Sequence, residues 1–113
     1  MERYKNEIKI MKALCHPTRV AILEILRDGE QCVCHMEAIL KLRQAYISQQ
    51  LMVLRDTGLL QDRRDGWNIF YSVIRPEIYD VLDAAHKMVG PAPLSMGSLS
   101  VECTCPNCQE RAS

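Results

Sequence analysis

Arg43-Gln44-Ala45-Tyr46-Ile47-Ser48-Gln49-Gln50-Leu51-Met52-Val53-Leu54-Arg55-Asp56-Thr57-Gly58 reads as a helix and its stop. Ile47, Leu51 and Leu54 form one apolar stripe at helical spacing, and Ser48, Gln49, Met52 and Arg55 lie off it. Gly58 ends the run. The chain then changes period. From Leu59 to Val73 it reads as a hairpin, in which Ile69, Tyr71 and Val73 alternate with Asn68, Phe70 and Ser72. Asp65-Gly66 supplies the tight turn, with Arg63, Arg64 and Trp67 around it.

Upstream, a short helix is expected over about 36–41, joined to the 43–57 helix by only a few residues. Before it, Val20-Ala21-Ile22-Leu23 and Ile25-Leu26 make a helix over about 18–27 apolar on nearly all sides, hence buried. Pro17 suits its first turn, where the missing N–H is not needed, and Asp28-Gly29 ends it. The first helix, about 2–14, carries Tyr4, Ile8, Met11 and Cys15 on one stripe, which predicts a core position for Cys15. A last helix, 76–89, has a wide apolar face of Ile78, Val81, Leu82, Ala85, Met88 and Val89. The predicted class is mainly α with a small β-hairpin wing, in winged helix-turn-helix order. Residues 1–89 form that domain. Residues 90–113, rich in Pro, Gly and Ser, read as a flexible cysteine-bearing tail.

The helix over 43–57 has the side chains that base reading needs. Gln can pair bidentately with adenine, Ser with several partners, and Arg with guanine or phosphate. Gln44, Ser48, Gln49 and Arg55 fit that need, and Arg63 and Arg64 would lie over a phosphate backbone or in a minor groove. Bulk charge does not help: the formal net charge is 0, against net +2 over 43–75, so attraction to DNA must be local. A solvated helix face is the bland alternative.

Six cysteines in a 113-residue chain call for an explanation. The N-terminus shows no secretory pattern and no apolar run reaches a membrane span, so the chain reads as cytoplasmic and its thiols as reduced. Clustered thiols there point to metal or redox chemistry. Cys32 and Cys34 form a Cys-x-Cys pair at the entry to a helix, where the positive dipole end favours thiolate. Such a pair lies on one face of a strand but about 200° apart on a helix, so ligation demands a particular local backbone. Cys103, Cys105 and Cys108 follow a linker and have no core to fill. Soft or borderline ions suit these five thiols. His35 is a reserve ligand, and Asp83 with His86 reads as a solvated face.

Three motifs add a resemblance. Leu14-Cys15-His16-Pro17-Thr18-Arg19 resembles the L-(A/S)-(D/H)-P-T-R opening of ArsR/SmtB repressors. Residues 49–60 resemble their QHLKVLREAGLV run, and Gln31-Cys32-Val33-Cys34-His35 resembles the LCVCD metal-binding box of arsenic- and cadmium/lead-responsive members. The resemblance covers about 5–89. It implies a transcriptional repressor, not an enzyme, that binds operator DNA as a homodimer through its first and last helices. The family's recognition-helix positions fall on Gln44, Ala45, Tyr46, Ser48 and Gln49. Arg43 stands where many members carry Ser or Thr, and Gln50 where His is common, which leaves the operator sequence open. The implied effector is As(III) first, with Cd(II), Pb(II) or Zn(II) behind it. Cysteines near the 14–19 turn bind arsenic in some members, so Cys15 is a further reserve ligand. Zinc-responsive members keep a site on the last helix, but this chain has too few ligands there beside Asp83 and His86. Two other readings share the fold: a repressor responsive to persulfide or oxidant, and an interaction module whose tail is stapled by zinc.

No Gly-rich phosphate loop, nucleophile elbow or His-Glu-x-x-His helix is present, and Cys-x-Cys lacks the spacing of thioredoxin-like chemistry.

Overall fold

A computed structural model describes residues 2–90. A 3-10 turn at Glu2–Tyr4 leads into α1, Lys5–Ala13. Helix α2, Pro17–Ile25, opens on His16, whose ring Nδ1 accepts the Thr18 backbone N–H at 3.2 Å. It continues as a 3-10 turn over Leu26–Asp28. Then come strand β1 at Gln31–Cys32, α3 at Val33–Leu40, α4 at Gln44–Asp56, β2 at Leu60–Asp65, β3 at Asn68–Val73 and α5 at Glu77–Val89. The winged helix-turn-helix order is as expected.

The core is aliphatic, as a chain this poor in aromatics requires. Ile22 and Leu23 of α2, Met36 of α3, and Ile47, Leu51 and Leu54 of α4 are all fully buried. The α4 stripe read from the sequence is therefore the face that α2 and α3 hold. Lys41 ends α3 with a left-handed backbone, φ 55°. That turn lets α4 restart after three residues.

The sheet and the helix after it differ from the sequence expectation. The sheet has three strands, in the order β1-β3-β2, all antiparallel. The added strand β1 is two residues long and pairs Cys32 with Phe70. So short a strand carries no period of its own. Helix α3 begins at Val33 rather than near Met36. Cys34 is thus inside the helix's first turn, and Cys32 is its N-cap.

The α1 stripe also behaves differently. Tyr4, Ile8 and Met11 are 57%, 46% and 56% exposed in the single chain, and Cys15 is exposed rather than in the core. Only Ala13 of α1 is buried, with Ile10 and Leu14 packed against the core. On α5, Ile78 and Leu82 are buried while Val81, Met88 and Val89 are exposed. Periodicity identified these faces correctly as apolar. The outward apolar surface fits the homodimer through the first and last helices that the resemblance implies; what the α1 stripe did not give correctly is a core position for Cys15. No helix among the described residues is long and apolar enough to cross a membrane.

Candidate nucleic-acid interface and thiol pair

Anchoring α4 through Ile47, Gln50, Leu51 and Leu54 turns its other side outward. Gln44, Ala45, Tyr46 and Gln49 are exposed, with Met52 and Val53 a turn further on, and Ser48 is half-buried. Arg43 precedes the helix in an extended conformation and is exposed. Among the described residues no side chain caps the helix start, so its first backbone N–H groups are available to a phosphate. The Tyr46 hydroxyl meets His16 Nε2 at 3.0 Å. Because His16 Nδ1 accepts from Thr18, Nε2 carries the ring proton and donates to Tyr46. One histidine thereby caps α2 and holds the start of α4. Gln50 faces inward, and its Oε1 has no hydrogen-bond partner among the described residues.

The arginines divide. Arg55 lies 3.5 Å from Asp62 of β2 and 4.0 Å from Asp56, so its charge is locally offset. Arg63 makes a two-pronged pair with Glu30, at 2.7 and 3.0 Å, and lies over the Phe70 ring at 4.8 Å. Its guanidinium is held still more firmly protonated by Glu30. These two side chains fasten the wing to the body. Arg64 is exposed and enters no ion pair among the described residues. Side chains alternate along β2, and Asp62 reaches Arg55 of α4. Arg64 is on that same α4-facing side, two residues nearer the tip.

Cys32 and Cys34 are joined in a disulfide, with Cα atoms 5.4 Å apart. Backbone shape explains the meeting: Cys32 is extended (φ −86°, ψ 159°), and the next residues are helical. Neither a pure strand nor a pure helix gives that approach. Cys32 Sγ also accepts the His35 backbone N–H at 3.4 Å, closing the N-cap of α3. Cys32 is buried against Phe70, with Cys34 half-buried beside them. His35 sits partly buried, and that burial pushes its imidazole pKa down.

Among the described residues no group of three or more Cys, His, Asp or Glu is arranged to hold an ion. The pair, once reduced, supplies two thiolates. Cys103, Cys105 and Cys108 lie outside the described residues. Asp83 and His86 are not a merely solvated face. Asp83 meets Arg27 of α2 at 2.9 Å, and His86 Nε2 lies 3.5 Å from Glu24. Arg27 also binds Glu24 at 2.8 Å and lies 4.5 Å over the Tyr79 ring, whose hydroxyl donates to the Leu23 carbonyl. The Arg27 hydrogen bonds hold both carboxyls below their usual range. Burial pushes the Tyr79 hydroxyl up to about 12.

Sequence reasoning missed Glu30 and Phe70 as partners of Arg63, because their meeting depends on the β1–β3 pairing. It also missed the contact between His16 and Tyr46, thirty residues apart.

Comparison with known proteins agrees with this geometry. Residues 16–62, from the α2 cap into β2, match the model of the bacterial regulatory protein, arsR family. An HTH-type transcriptional regulator of Mycobacterium tuberculosis is 37% identical over 87 residues, 76% of each chain. The arsenic resistance transcriptional regulator ArsR1 of Pseudomonas putida is 41% identical over 81 residues, 71% of this chain and 62% of that one. The crystal structure of the transcriptional repressor BigR from Xylella fastidiosa superposes with a TM-score of 0.70 at 32% identity, covering 82% of this chain and 95% of that one.

Proposed function

The chain belongs to the arsR family of bacterial regulatory proteins, and from that premise we propose that it is a dimeric repressor whose hold on operator DNA is released when thiolates bind As(III). Cd(II), Pb(II) or Zn(II) are the other candidate effectors. The observation that carries the reading is the convergence of the Cys32 and Cys34 sulfurs at the start of α3, the helix that supports α4. One thiolate from among Cys103, Cys105 and Cys108 of the 90–113 tail completes the three-sulfur set that As(III) takes, and a second would serve a four-coordinate ion such as Cd(II) or Zn(II). An arsenic resistance regulator among the relatives supports the choice of ion. In the complex α4 enters the major groove, offering Gln44, Ala45, Tyr46, Ser48 and Gln49 to base edges. Arg43 and Arg64 take phosphates, while Arg55 and Arg63 brace the wing.

Coupling has two routes out of the pair. One runs along α3 into α4. The other crosses from Cys32 to Phe70, and from Phe70 to Arg63 and Glu30, so that the wing feels the sulfurs too. A ligand moves the equilibrium only by its differential affinity for the two states, about 1–3 kcal/mol in typical coupled systems.

A second reading rests on the disulfide itself. Oxidation of the two thiols passes two electrons to a peroxide or persulfide, with loss of two protons, and crosslinks the cap of α3. One experiment separates the two. A duplex is selected from a random library by the protein, and its release is followed by gel mobility with arsenite, antimonite, Cd(II), Pb(II), Zn(II) and peroxide, with and without reductant. Arsenite release that survives reductant and disappears in a Cys32→Ser, Cys34→Ser variant is expected. Release by peroxide alone would transfer the assignment to redox, and release unchanged in the variant would sink both.

A further inference from the structure

The turn joining β2 to β3 carries a side chain that its geometry does not need. Gly66, with φ 63°, is the first central residue of that turn and Trp67 the second. Turn positions of this kind favour small or polar residues that satisfy the backbone. Trp67 is instead fully exposed, and it is the chain's single tryptophan. The other large exposed apolar side chains of the wing region lie lower, as at Ile74, or belong to helices. An indole held at the end of a short hairpin, with no packing partner among the described residues, is placed to meet something outside them.

What it meets is set by its neighbours. Arg64, exposed on the α4-facing side of β2, is the nearest unpaired cation among the described residues of the wing. Asp65 is turned to Arg63, at 3.9 Å, and Arg63 is committed to Glu30, so the acidic groups near the tip are engaged within the protein. The Arg55–Asp62 contact fixes the wing against the C-terminal end of α4. With α4 in a major groove, a hairpin rooted there extends along the duplex toward the adjoining minor groove. Apolar side chains entering a minor groove wedge between base steps and open them toward the major groove.

We propose that Trp67 is such a wedge: its indole enters the minor groove beside each half-site while Arg64 holds the flanking phosphate. This rests on the DNA-binding reading above and adds to it a residue that senses deformability. Flexible pyrimidine–purine steps under the tip should be preferred, without hydrogen bonds to their bases.

The single tryptophan makes the test direct. The probe is a duplex of about 30 base pairs, three turns of B-DNA, selected by the protein from a random library. Titration should quench Trp67 emission and shift it to the blue. Trp67→Ala should weaken binding about tenfold with the salt slope unchanged, Trp67→Phe should restore most of it, and Arg64→Ala should lower the slope by about one. Full exposure makes these variants neutral to the fold, which their thermal unfolding checks. Emission unmoved at saturating duplex, with Trp67→Ala binding within twofold, overturns the wedge and leaves the repressor reading intact. Emission that instead responds to protein concentration alone assigns Trp67 to a protein contact and also overturns it. If no duplex is enriched, the repressor reading fails and takes the wedge with it.

Discussion

His35 shows how one residue ties the thiol pair to stability. Its backbone N–H is bound by Cys32 Sγ, and its ring is partly buried with a lowered pKa. The unfolded chain takes up a proton near pH 6.5 that the folded chain resists. Stability is then constant above that pH and falls as pH drops through it, until the folded form is protonated too. Urea midpoints should decline between about pH 7.5 and 5.5, and His35→Gln should flatten that decline. Glu24 and Asp83, both lowered by Arg27, add losses only in more acid solution. At this scale the sequence was legible where chemistry is local. Cys32 and Cys34 could be singled out from spacing, and Gly66 from the hairpin. The partners of Arg63 and Arg55 could not, because a cation in a string of residues carries no sign of which carboxylate it will meet.

Among elements, the decisive relation is how α5 is fastened to α2. Arg27 sits between Glu24 and Asp83 and beneath the Tyr79 ring, so one side chain closes the joint. The Glu24 side chain is only 9% exposed, so removing Arg27 leaves a nearly buried carboxylate with only the longer His86 contact, at 3.5 Å. Arg27→Ala should cost about 2 kcal/mol, less than a fully buried pair because Asp83 is open to water. Chemical denaturation would measure it, and Asp83→Asn alone should cost much less. The α3–α4 turn makes the opposite point. Lys41 accepts a left-handed backbone that glycine would take at no steric cost. The helix periods of α2, α4 and α5 were readable because each buries a continuous stripe. The early start of α3 was not, since its first turn is built from Val33 and Cys34, which suit a strand equally well.

For the whole molecule, the single chain leaves apolar surface uncovered on its first and last helices. Met11 is 56% exposed, and Met88 and Val89 are 83% and 85% exposed. A two-fold partner laid on these faces would bury them and set two α4 helices about 34 Å apart, one turn of DNA. Met11→Glu combined with Val81→Glu should yield monomers in analytical ultracentrifugation and weaken binding to a two-half-site duplex at least tenfold. A dimer unaffected by that pair would place the interface elsewhere.

The sequence alone determined the order of elements, the face on which α4 is anchored, the hairpin turn and the suspicion that Cys32 and Cys34 act together. These follow from periodicity, turn chemistry and spacing, all of which operate within a few residues. Tertiary structure decided the rest. It added β1, seated Cys32 against Phe70, committed Arg55 and Arg63 to carboxylates, turned the α1 stripe outward and left Trp67 bare at the wing tip. Those outcomes depend on which distant segments share a surface, and contacts across such distances leave no period in the chain to be read.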